Sequence, residues 1–221
     1  MEKIYGYISK KFKKKVLENA KESDQIIIIT GYFSPDMIDE IAKMGVPFVY
    51  YYGMYGIDKI AKPVYDKLIS INNSNSNLKL KFVHTQRVHT KCYLFYKNTK
   101  LENALVGSAN CSINGLCSIE NAEMLIELNK KELKSDRYLF ELNEYVKRIE
   151  KIAIDISDPA IVPKKLKDVK KHHLHLLLQS LFSRDSATMS ELSNDTQLSQ
   201  PSVRNMIRLL QQHDIVKETG N

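Results

Sequence analysis

The most legible stretch of the chain is apolar without interruption: Ile26, Ile27, Ile28 and Ile29, then Thr30 and Gly31. A β-branched run that ends at a glycine predicts a buried strand over residues 26–33. Ser34-Pro35-Asp36 follows. A capping-type residue before a proline predicts a helix start, because the fixed φ of proline suits the first turn; the helix should reach Gly45. Residues 46–52 read as the next strand. Residues 58–71 read as an amphipathic helix with Pro63 in its first turns, and 72–77 as a polar Asn/Ser loop. A strand-rich block comes next. Residues 78–83 alternate lysine with apolar positions, the period of a half-exposed strand, and 88–96, 104–106 and 122–128 follow. Residues 131–154 predict a long charged helix that closes the domain. Strands alternating with helices, then strands in succession, predict an α/β fold: a mixed sheet flanked by helices.

Residues 155–163 carry Ile156-Ser157-Asp158-Pro159 and Val162-Pro163, and the pattern breaks there. Two domains are expected, 1–158 and 159–221. The second reads as small and helical. Residues 174–181 form an apolar helix. Thr188 sits at a cap position with Glu191 at the capping-box place. A turn and a new helix over 200–212 come next, and residues 215–218 read as a first strand after it. His172, His173 and His175 lack a cysteine or carboxylate at fitting spacing, so they read as the start of a helix and not as a metal tract.

Charge narrows the partners. The chain has 221 residues, with 33 Lys+Arg against 26 Asp+Glu and a formal net charge of +7. A basic balance favours a polyanion, nucleic acid first and an anionic membrane surface second. The longest apolar run falls far short of the ~20 residues a membrane-crossing helix needs, and Met1-Glu2-Lys3-Ile4-Tyr5 does not open a signal peptide. A cytoplasmic protein with no membrane association is expected. The 3 cysteines, Cys92, Cys111 and Cys117, form no C-x-x-C pair; reduced thiols are expected, with no zinc site, no other metal and no cofactor.

One short region concentrates chemistry. Val88-His89-Thr90-Lys91 is followed by Gly107-Ser108-Ala109-Asn110 and then Ile119-Glu120-Asn121-Ala122. It holds a nucleophile, a cation, two neutral hydrogen-bond donors and a carboxylate, the parts needed to attack a phosphodiester without a metal. Each alone is ordinary, since G-S-x-N is a common turn and a histidine in such a strand is usually solvated. Their order and spacing together are not. They resemble the signature of the phospholipase D superfamily, and within it the small single-motif nucleases and metal-independent restriction endonucleases. The resemblance covers roughly residues 26–154. Many members of that superfamily extend the first motif to an aspartate where this chain has Tyr96, which points away from a phospholipase and towards the nuclease branch.

The resemblance implies a phospholipase D-like mixed sheet and assigns roles. His89 is the nucleophile and forms a phosphohistidine. Lys91, two along a strand from His89, points to the same face and binds a non-bridging oxygen. Ser108 and Asn110 donate to the developing charge. Glu120 accepts from a histidine ring N–H. The chain carries the set once, so a homodimer is expected in which two chains build one composite site, the partner's His89 protonating the leaving oxygen and then activating water. Arg87, beside the motif, is a candidate phosphate contact. Residues 174–221 resemble a winged helix-turn-helix, with 200–212 as recognition helix. Gln200, Ser202, Arg204, Asn205 and Arg208 are suited to base edges and phosphates of double-stranded DNA. The function expected is a metal-independent, restriction-type DNA endonuclease. A non-specific nuclease, a non-catalytic DNA-binding regulator and a lipid phosphodiesterase are the alternatives; for the last there is no membrane-docking face.

Overall fold

The computed structural model describes residues 5–8, 12–57, 59–117, 123–131, 133, 135–164, 166–182, 186–212 and 215–217. The chain divides into two compact units, Met1–Pro163 and Lys164–Asn221. The division falls after Pro163 because Ile156 and Ile161 are buried in the first unit's core. Tyr65 Oη also donates to Ile156 O at 3.1 Å and Tyr55 Oη to Val162 O at 3.0 Å.

In chain order the first unit contains β1 (Tyr5–Ile8), α1 (Phe12–Lys21), β2 (Gln25–Thr30), α2 (Pro35–Ala42), β3 (Phe48–Tyr52), α3 (Lys62–Ser74), β4 (Leu78–Val83), β5 (Cys92–Lys97), β6 (Lys100–Gly107), α4 (Ile113–Cys117), β7 (Met124–Asn129), α5 (Arg137–Ile152) and β8 (Ala153–Asp155). Among the described residues eight strands form one sheet in the order β1-β7-β6-β5-β2-β3-β4-β8. The mixed sheet expected from the alternation of strands and helices is present. β2, β3 and β4 run parallel, and β5 is antiparallel to β2, pairing Ile29 with Cys92. β6 and β7 continue the antiparallel half.

Both sheet faces are covered. Ile26 and Ile28 face Val16, Ile38 and Leu68 of α1, α2 and α3, while Ile27 and Ile29 belong to a second core with Leu139, Val146 and Ile149 of α5. The isoleucine run is therefore uniformly apolar because alternate side chains enter two different cores.

Several elements differ from the sequence reading. The third helix starts at Lys62, not at 58, because Pro63 is tolerated only in the first turn. It runs on through part of the expected Asn/Ser loop. Asn75 caps it, its Nδ2 donating to Ile71 O at 2.8 Å. The closing helix is shorter at both ends, and its expected last residues leave it to form β8 against β4. β1 and α4 were not anticipated. The expected strand over 88–96 begins only at Cys92, so His89 and Lys91 precede it. Tyr50, Tyr51, Tyr52 and Tyr55 are all buried core residues. In α1, Phe12 and Val16 face the core while Lys13 and Lys15 pair with Glu40 and Glu127.

The second unit contains α6 (Leu166–Phe182), α7 (Met189–Thr196) and α8 (Gln200–Gln212) around Leu177, Leu192, Val203 and Leu210. Thr188 closes the expected capping box, Thr188 N donating to Glu191 Oε2 at 2.7 Å and Glu191 N to Thr188 Oγ1 at 3.3 Å. Ile215, Val216 and Lys217 do not form the expected strand; Ile215 N donates back to Leu210 O at 3.0 Å. Glu218 lies outside the described residues. Among the described residues no helix is long and apolar enough to cross a membrane.

Thr188→Ala removes one side of the capping box and should destabilise the second unit by about 1 kcal/mol. Amide hydrogen exchange along α7 in the full chain reads this directly; unchanged protection would show the cap to be idle.

Candidate functional site

Five chain segments reach the same end of the sheet. β2 and β3 end there, at Thr30 and Tyr52, which pair. β5 starts there because it is antiparallel to β2. β6 ends there at Gly107, opposite Leu125 near the start of β7. His89 and Lys91 therefore lie just before β5, Ser108 and Asn110 just after β6, and Gly31 and Tyr32 just after β2.

Short backbone bonds hold this end together. Val88 N donates to Gly53 O at 2.9 Å, Gly107 N to Lys91 O at 3.2 Å, and Ser108 N to Met124 O at 2.9 Å. Gly107 owes its identity to close approach: a Cβ there would stand 1.9 Å from Met124 O. Positive φ is not the reason. Among the described residues positive φ occurs at Gly45, Asn98, Thr99 and Gln197, not at Gly107 or Asn110.

His89 is exposed, and its ring lies directly over Gly31. A Cβ on Gly31 would meet His89 Cδ2 at 2.4 Å. Tyr32 stands edge-on to the imidazole at a centroid distance of 6.0 Å. Partial burial pushes the His89 pKa below its ordinary value of 6.5, and the Lys91 and Arg87 charges push it further the same way. At neutral pH this favours the neutral ring, whose free lone pair is what a nucleophile requires.

Lys91 is only 8% exposed. Its Nζ donates to His89 O at 2.8 Å. Desolvation lowers its pKa, while the charge of Glu123 opposes that. An ammonium has three donors, so this bond leaves others for an anion.

Glu123 was not anticipated. The sequence offered Glu120, which with Asn121 lies outside the described residues. Glu123 accepts from Ser108 Oγ, which in turn accepts from Met124 N at 3.0 Å. Ser108 has one proton, and here it goes to Glu123. Only the register of β7 against β6 points Glu123 at Ser108, and the sequence offered no sign of it beyond a carboxylate near the motif. Asn110 is oriented as well. Tyr32 N donates to Asn110 Oδ1 at 3.0 Å, which leaves the amide Nδ2 as the group able to donate.

The remaining candidates are more scattered. Arg87 is exposed on the loop before His89. In the second unit Gln200, Arg204, Asn205 and Arg208 are exposed on α8, and Gln200, Arg204 and Arg208 follow one another at helical spacing. Ser202 is half-buried and engaged at the helix start, its Oγ 2.9 Å from Ser199 Oγ. Cys92, Cys111 and Cys117 are free thiols, the first two buried. Tyr96, at the aspartate place of the longer motif, is buried and donates to Asn143 Oδ1 at 2.9 Å, a packing role.

A sheet with a His-Lys pair and a Ser-Asn pair converging at one end defines a phospholipase D-like domain. Residues 5–156 match the family described as the NgoFVII restriction endonuclease N-terminal PLD domain. That is well over half of the chain, and the chain belongs to this family. No curated protein sequence gives a significant match. Among solved structures, Nuc from Salmonella typhimurium, a phospholipase D family member, matches with a TM-score of 0.53 at 13% identity, over 70% of this chain and 98% of that one. NucT from Helicobacter pylori matches with a TM-score of 0.51 at 14% identity, over 70% of this chain and 99% of that one. Both likenesses are of fold.

Two substitutions test the site's physics apart from turnover. Lys91→Met removes a neighbouring cation and should raise the His89 pKa towards its ordinary value, read by NMR titration of the imidazole. Gly31→Ala should do the same for a different reason, by levering the ring off its seat and into solvent. A His89 titration that is unmoved in both variants would refute this account of the low pKa.

Proposed function

We propose that the chain is a metal-independent, restriction-type DNA endonuclease that works through a phosphohistidine. The observation that carries this reading is the convergence of His89, Lys91, Ser108 and Asn110 on one end of the sheet. Partial burial and the Lys91 and Arg87 charges lower the His89 pKa, and Lys91 is partly desolvated.

The chemistry follows from charge. A phosphodiester is anionic and repels a nucleophile until its charge is offset. Lys91 Nζ and Asn110 Nδ2 supply that offset, with Ser108 joining once its hydroxyl turns from Glu123. His89 attacks phosphorus, a P–N bond forms, and the P–O bond to the leaving oxygen breaks. The partner's His89, which must enter this step protonated, gives that oxygen a proton and becomes neutral. It then takes a proton from water, which attacks phosphorus, breaks the P–N bond and frees His89. This scheme needs two chains, since each carries the motif once. A homodimer with a composite site is therefore part of the proposal. Glu120 completes it as the acceptor that orients a ring N–H.

Double-stranded DNA is the substrate. The net charge of +7 and the exposed Arg87 favour a polyanion. In the second unit α7 and α8 act as a helix-turn-helix. α8 is the recognition helix and presents Gln200, Arg204, Asn205 and Arg208. The family to which residues 5–156 belong is named for a restriction endonuclease, which supports the same reading.

Plasmid cleavage in EDTA, wild type beside His89→Ala, is the deciding experiment. Discrete bands that vanish in the variant are expected. A smear would keep the histidine chemistry and remove site selectivity. Cleavage that requires Mg²⁺ and survives the substitution would end the phosphohistidine reading. On the acid side, the rate should fall only below pH 6.5, because His89 must lose its proton to attack and its pKa lies below that value. A pH–rate profile of single-turnover cleavage checks this; an acid limb above pH 6.5 contradicts it.

A further inference from the structure

The segment from Val88 to Tyr96 alternates even where it is not paired as a strand. Val88, Cys92, Leu94 and Tyr96 all enter the core beneath α5. Thr90 shares their parity and turns the same way, its Oγ1 lying 2.6 Å from Tyr145 Oη. His89 and Lys91 have the opposite parity. The residue between the two motif side chains is thus tied to α5.

This tie comes where the sheet gives least support. Ladder pairing of β5 begins at Cys92. Before it, the backbone is anchored by Val88 N to Gly53 O and by Gly107 N to Lys91 O. Thr90 sits between these anchors. The apolar seam of α5 is Leu139, Leu142, Val146 and Ile149, with Asn143 and Tyr145 on its flanks. Asn143 takes the Tyr96 hydroxyl and Tyr145 meets Thr90, so α5 grips the same stretch by polar bonds at both ends. Partial burial raises the Tyr145 pKa, so its hydroxyl stays protonated at neutral pH and can donate.

We propose that Tyr145 is a positioning residue: through the Thr90 hydroxyl it fixes the backbone from which His89 and Lys91 project, and so seats the imidazole against Gly31. A small shift of Thr90 moves both neighbours together, and displacement of about 1 Å at a reacting group costs up to ~100-fold in rate. The inference rests on the proposed role of His89 for its kinetic consequence, but not for its geometric one.

The test uses Tyr145→Phe, Thr90→Val and the double variant in the full chain. Each should lower kcat about tenfold on plasmid DNA with KM unchanged, and the double variant should be no worse than either single one, because both remove one bond. The His89 titration followed by NMR should move upward in all three, towards its ordinary value. Tyr96→Phe breaks the other tie and serves as the structural control, lowering thermal stability without moving the His89 titration. Wild-type kcat and an unmoved titration in Tyr145→Phe would overturn the proposal, as would losses that add in the double variant. If the wild-type chain cuts no DNA, the endonuclease reading fails first, and the titration alone still decides whether Tyr145 seats His89.

Discussion

Everything at the candidate site depends on the direction of one strand. β5 lies between β2 and β6 and is antiparallel to both. Because it runs backwards, its first residue pairs next to the last residues of β2, Cys92 opposite Ile29. A parallel β5 would carry His89 and Lys91 to the opposite end of the sheet from Gly31, Ser108 and Asn110. The reversal instead opens the approach to β5, the exits of β2, β3 and β6 and the approach to β7 at one edge. Residues separated by up to 92 positions, Gly31 to Glu123, come to share one small region.

That edge is packed tightly enough to constrain residue type. The seat for the imidazole exists because Gly31 lacks a Cβ, and Ser108 can reach Met124 because Gly107 lacks one. Electrostatics follow from the same packing. Partial burial lowers the pKa of both His89 and Lys91, and the cationic neighbours of His89 reinforce the effect. The carboxylate that opposes the shift at Lys91 is Glu123, which lies just before β7 and bonds the Ser108 hydroxyl. Backbone amides and side chains interlock around the pair: Tyr32 N orients Asn110, while Thr30 Oγ1 donates to Tyr32 O at 2.7 Å. Lys91 and Asn110 are therefore each tethered by a neighbouring bond, while the Ser108 proton is directed to Glu123.

Much of this was legible in the chain. The isoleucine run, the Ser34-Pro35 helix start, the Lys-alternating strand and the Thr188–Glu191 capping box rest on local rules, and each appears where those rules place it. The motif residues were legible because their types and order are chemically uncommon together. Other features were not. β1 and β8 are four and three residues long and too short to carry a period. The extent of the strand at 88–96 was overestimated, because an extended segment that bonds to loops looks in sequence like one that bonds to a ladder.

The sequence by itself determined the fold class and the longer elements, and it singled out the histidine, lysine, serine and asparagine as candidates, because apolar periodicity and motif spacing are properties of neighbours along the chain. The tertiary structure decided which groups touch. Glu123 on Ser108, Gly31 under His89 and Tyr145 behind Thr90 are pairings between residues 15, 58 and 55 positions apart. They arise from strand direction, strand register and the packing of a helix on the sheet, none of which is written in any local stretch of the chain.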